Sequence, residues 1–150
     1  MVKHRSSNLT SVSQWGALRR SYPDGRGRVR RNQLEWQMRV QPTPLSDVYE
    51  IRLSYSLETG PKIMVKSPEL IQPGDKPIPH RFSDGSLCLF LPGCGEWERT
   101  MSLADTVIPW TSEWLFFYEL WIATGEWCGG GHGTPAANES SIYKGDNTWH

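Results

Sequence analysis

One cysteine sits where a nucleophile could work. Cys88 follows the turn signal Ser83-Asp84-Gly85 and heads the apolar run Leu89-Phe90-Leu91, with His80 eight positions upstream and Trp97 nine downstream. A thiol at the junction of a turn and a packed segment can be reached while its backbone is held rigid. Nucleophilic attack needs that combination. The commoner fate of a cysteine is to be a small buried apolar residue, and the surrounding pattern is what favours chemistry here. His80 has two open roles. It can hydrogen-bond the loop and hold the cysteine segment, which is the favoured reading, or it can act as an acid or base. Ser83, Asp84 and Ser86 can shape a pocket, although Asp84-Gly85 is first of all a turn.

The other two cysteines, Cys94 and Cys128, make the total odd and leave no disulfide framework. Cys94 lies between Gly93 and Gly95, exposed enough to be a redox partner of Cys88. Cys88-x5-Cys94 and Cys128-x3-His132 do not match the tight Cys-x2–4-Cys knuckle of structural zinc sites, so no metal and no cofactor is expected. A Cys/His hydrolase built on Cys88 and His132 is an alternative enzyme class, and it requires the two within hydrogen-bond reach. Gly129–Gly133 lacks the Gly-Lys-Ser/Thr ending of a phosphate loop.

At 150 residues the chain reads as one domain able to bury roughly 68–70% of its unfolded surface. Sixteen basic and sixteen acidic residues cancel, so no global field steers nucleic acid or anionic membrane. Arg19–Arg31 is the local exception, with arginines at 19, 20, 26, 28, 30 and 31. It reads as a solvated basic loop. The start Met-Val-Lys-His-Arg has no apolar secretory core. The longest apolar stretch, Trp114–Ala123, is broken by Glu119 and is half of the about 20 residues that a membrane span needs. A reduced cytoplasmic protein is expected. Four of the eight tryptophans (110, 114, 121 and 127) fall close together, a density that favours core plates over a stacking platform.

The elements that must position Cys88 follow from periodicity. Leu9–Tyr22 carries apolar residues at 12, 15, 18 and 22, a helical spacing, with Thr10 or Ser11 as cap and Pro23 as stop. Leu34–Val40, Val48–Leu57 and Ile63–Val65 read as strands of an antiparallel meander. The proline-rich crossing Ser67–Gly85 follows, then a short strand or bridge at Leu87–Leu91 and a helical turn at Ser102–Val107. Thr111 should cap a buried helix, apolar on nearly every face, that ends at Gly125. The expected architecture is α+β, with both helices on one side of a small antiparallel sheet.

This order resembles the ubiquitin-conjugating enzyme family: helix, meander, proline-rich crossing, His80, Cys88-Leu89-Phe90-Leu91, Trp97, then a long helix. The run Trp110–Trp121 with Cys128-Gly-Gly-Gly-His132 further resembles the stand-alone bacterial ubiquitin-conjugating-like proteins of cyclic-oligonucleotide antiphage signalling (CBASS). The resemblance implies a ubiquitin-conjugating-enzyme-like fold, Cys88 as the thioester-forming residue and His80 in support. It divides the chain into a flexible N-terminus (1–8), a conjugating-like domain (9–127) and a Gly-rich, polar C-terminal extension (128–150). Implied partners are the C-terminus of a cGAS-like nucleotidyltransferase or a ubiquitin-like protein, with an activating enzyme upstream. A non-catalytic adaptor with the same fold is the remaining alternative. One departure stands out. The family's His-Pro-Asn is here His80-Arg81-Phe82, and no asparagine lies between His80 and Cys88. Such an amide donor can lower an acyl-transfer barrier by ~2.7–4 kcal/mol.

Overall fold

The structure, a computed structural model, describes residues 7–91 and 93–129. Most of the flexible N-terminus and of the C-terminal extension expected from the sequence, His132 included, lies outside them. Helix α1 (Ser11–Ser21) leads into strands β1 (Arg26–Arg30), β2 (Gln33–Val40), β3 (Tyr49–Tyr55) and β4 (Lys62–Ser67), and helix α2 (Val107–Thr124) comes last among the described residues. The strands form one antiparallel sheet in chain order. The molecule is α+β, as expected.

Period-two alternation sets the sheet's orientation. Leu34, Trp36 and Val40 of β2 and Tyr49, Ile51, Leu53 and Tyr55 of β3 are buried, while Glu50 and Arg52 between them are exposed. The buried face joins a single core with Leu18 of α1 and Val107, Ile108, Trp114, Leu115, Tyr118 and Trp121 of α2. Both helices therefore cover the same side of the sheet. Strand β1 was not expected. Its arginines looked like a loop, but Arg26, Arg28 and Arg30 lie opposite Gln37, Glu35 and Gln33 as an exposed edge strand. Arg31 and Asn32, both with positive φ, make the two-residue turn into β2. Gly25 and Gly27 are required beneath the Trp36 indole, since a Cβ at either would lie 2.3 Å or 2.6 Å from its ring.

Helix α1 is capped by Thr10, whose side chain accepts the Ser13 amide. It buries Ser11, Gln14 and Leu18 rather than the apolar stripe expected from positions 12 and 15, and Val12 is exposed. Gln14 explains the rotation. Its Nε2 donates to the Met101 carbonyl and its Oε1 accepts the Leu103 amide, both at 2.9 Å, so a polar side chain satisfies the loop leading to α2.

Helix α2 begins at Val107, four residues before Thr111. Pro109 stands at its third position, where a missing N–H removes no intrahelical bond. Thr111 is not a cap but a buried interior residue whose hydroxyl donates to the Val107 carbonyl. Nor is the helix buried all round: Pro109, Glu113, Phe116 and Ala123 form an exposed stripe. Glu119 ties it to the sheet by accepting from the Ser46 and Tyr49 hydroxyls.

Candidate active site

Residues 80–88 fold as a tight hairpin. The Cys88 amide donates to the His80 carbonyl at 2.9 Å, Arg81 bridges Leu87, and the Phe82 amide donates to Ser86 at 2.8 Å. At the tip, Asp84 accepts from both the amide and the hydroxyl of Ser86 and from Lys62 at 2.6 Å. The Lys62 and Ser86 hydrogen bonds hold its carboxyl down at about 2. Gly85 supplies the positive φ that the turn needs. The Leu87 amide donates to the Ile63 carbonyl, fastening the hairpin to β4. His80 and Cys88 are thereby brought side by side through their backbones.

His80 itself takes a positive φ of 54°, a region uncommon outside glycine. Its carbonyl also accepts the Trp114 indole N–H at 3.0 Å, so one oxygen locks the cysteine segment to α2. Its ring is buried, and burial pulls its pKa down to about 4. The ring is neutral at physiological pH, which suits a structural role better than that of a cationic acid.

Cys88 is only 3% exposed. Its thiol faces the Phe90 carbonyl at 3.5 Å. Burial, and then the charge of Glu96, pushes the thiol up to about 12, partly offset by a backbone hydrogen bond at Phe90. Glu96 is held by the Leu91 amide. Cys88 lines a crevice of about 10 Å³ together with Trp110, Glu113, Trp114, Phe117 and Trp127. On the other side of the segment lies a larger groove of about 530 Å³. Lys62, Ser83, Asp84, Ser86 and Trp97 border this groove, and Leu89 borders both spaces. Trp97 is fixed by its indole bond to Thr106 and by stacking on Phe90.

Cys94 and Cys128 are exposed, whereas Cys88 is buried. His132, the proposed hydrolase partner, lies outside the described residues. Among the described residues no cluster of three or more His, Cys, Asp or Glu could hold a metal ion, and no helix is long and apolar enough to cross a membrane. The aromatic wall around Cys88 was missed from sequence. Its one signal is the Gly125 break, which lets Trp127 return towards the site.

An α+β domain that holds a cysteine on a hairpin between the sheet and helix α2 is consistent with a small E2-like protein. The family model described as type II CBASS E2 protein matches residues 14–135, most of the chain and all of the geometry above from Gln14 onward. The chain belongs to this family, and membership implies an E2-like role in CBASS. No curated protein matched the chain in a sequence comparison.

Proposed function

We propose that Cys88 is the acyl-carrying residue of a ubiquitin-conjugating-like transferase, with His80 as its supporting residue. The acyl group is the C-terminus of a protein, by this reading a cGAS-like nucleotidyltransferase. In the step envisaged, the Cys88 sulfur attacks the carbonyl carbon of a thioester carried by an activating enzyme. A new C–S bond forms to Cys88, the bond to the activating enzyme's sulfur breaks, and the Cys88 proton passes to the expelled thiolate. The observation that carries the reading is Cys88's position. Of the three cysteines it alone is buried and seated on the hairpin, its amide bonded to the His80 carbonyl, and its neighbours Leu87 and Leu89 line a groove of about 530 Å³. An extended tail can lie in such a groove through backbone hydrogen bonds and a few apolar anchors. Residues 9–127 act as the conjugating-like domain, and 128–150 as its extension.

The burial of the thiol favours a second reading, a non-catalytic adaptor. The test separates the two. Incubation with the activating enzyme and the nucleotidyltransferase should give an adduct cleaved by reducing agent. Cys88→Ser should convert it to a reductant-resistant oxyester. An undiminished adduct in Cys88→Ala, or one lost only in Cys94→Ala, defeats the assignment. Equal capture of the nucleotidyltransferase with and without its last residues, with no thioester in either case, leaves the adaptor.

A further inference from the structure

The chain turns back on itself as soon as α2 ends. Gly125 takes the left-handed conformation, and two residues later Trp127 lands on the candidate site. Its ring stacks on the His80 imidazole, with centroids 4.9 Å apart and planes 28° from parallel. It also leans on Trp114 at 5.3 Å and on Phe117 at 6.4 Å. Gly129 then passes so close to Phe117 that a Cβ would lie 2.2 Å from that ring. These contacts leave beside Cys88 a crevice of about 10 Å³, no more than the room of one water.

Two features bear on how firmly this cover is held, the first of them shared with the core residue Trp36, whose indole N–H is likewise unpartnered. The Trp127 indole N–H is buried and has no hydrogen-bond partner, an unfavourable state for a donor. The Gly125 amide is held by the Trp121 carbonyl of α2, and beyond it, among the described residues, the hydrogen bonds of residues 126–128 reach no further than Thr124 and Glu126. Among the described residues, ring contacts with His80, Trp114 and Phe117 hold Trp127 in place. A slot that takes a flat ring but leaves its N–H unanswered is better matched to a flat group with no polar edge.

We propose that Trp127 is a plug. In the resting protein it occupies a side-chain subsite beside Cys88 that accepts a flat apolar residue, such as phenylalanine, from the acyl donor. The subsite opens when residues 126–129 swing away about Gly125. The identity of the incoming chain as acyl donor rests on the function proposed for Cys88. The plug itself does not.

The test uses the full chain with Cys94→Ser and Cys128→Ser, so that iodoacetamide labelling, followed by mass, reports Cys88 alone. Adding Trp127→Ala should speed labelling at least tenfold. Trp127→Phe keeps the ring and removes the orphaned N–H, so it should label no faster than its parent. Gly129→Ala keeps Trp127 but forces the strap off Phe117, and it should also label faster. It serves as the independent variant if Trp127→Ala loses its fold by circular dichroism. Millimolar N-acetylphenylalanine amide should slow labelling of the Trp127→Ala protein at least twofold, whereas N-acetylserine amide should not. Parent-like labelling in folded Trp127→Ala or in Gly129→Ala overturns the plug. Equal effects of the two amides overturn the apolar subsite. None of these readouts involves acyl transfer, so the plug is tested apart from the role given to Cys88.

Discussion

Raising the pH should reveal how deeply Cys88 is held in its neutral form. With Cys94 and Cys128 replaced by serine, alkylation reports this thiol alone. Its pKa of about 12, against an ordinary 9.0, leaves about a thousandfold less thiolate at any pH below both values. A thiolate of higher pKa is the stronger nucleophile, by roughly 0.4–0.5 log units per pKa unit, which restores about fifteen- to thirtyfold. If the thiolate reacts in place, labelling should be about 30- to 60-fold slower than that of N-acetylcysteine amide at pH 7, before any steric shielding. If it reacts only after the site opens, the compensation vanishes and the slowing approaches about a thousandfold. In both cases the logarithm of the rate should climb with unit slope from pH 7 to 10 and show no plateau. Glu96→Gln should quicken labelling only modestly, because burial outweighs the charge of Glu96. A plateau below pH 10, or a rate within about threefold of the free thiol at pH 7, would refute the argument.

Two further outcomes concern the scaffold. Gln14→Leu strands the buried Leu103 amide and the Met101 carbonyl, and at about 1–3 kcal/mol for each unpaired group it should cost about 2–6 kcal/mol in urea unfolding. A loss below about 0.5 kcal/mol would show that the amide bridge is not needed. Because burial lowers the His80 pKa to about 4, the unfolded chain takes up that proton first as the solution is acidified. Stability from this residue is then complete above about pH 6.5 and lost towards pH 4. His80→Asn tolerates the positive φ and should flatten that part of the stability profile, so identical profiles would exclude the histidine as its source.

The sheet was legible where one face is buried. Trp36 and Leu34, or Leu53 and Ile51, announce their strands by alternation. β1 escaped because its core-facing side is made of Gly27 and Val29, and one apolar residue among arginines leaves no alternation to read. The start of α2 was displaced because Pro109 reads as a stop, whereas in the first turn it is harmless. α1 was turned on its axis because Gln14 is buried for its hydrogen bonds, which hydrophobic spacing does not record. At the candidate site, the Ser-Asp-Gly turn between His80 and Cys88 was enough to place both on one loop. The thiol's environment was not readable. It depends on Trp110, Phe117 and Trp127 meeting in space, and on the chain reversing after Gly125.

The arginines of β1 bear on how copies of this protein coexist in a crowded solution. The outer edge of β1 has no neighbouring strand among the described residues, and an open edge is a template for pairing with another chain. Two copies meeting there would set arginines of one chain opposite arginines of the other, with Cβ atoms of facing residues about 5 Å apart across the new ladder. Like charges so placed repel. The segment that reads as a solvated basic loop thus also opposes pairing at the open edge of the sheet.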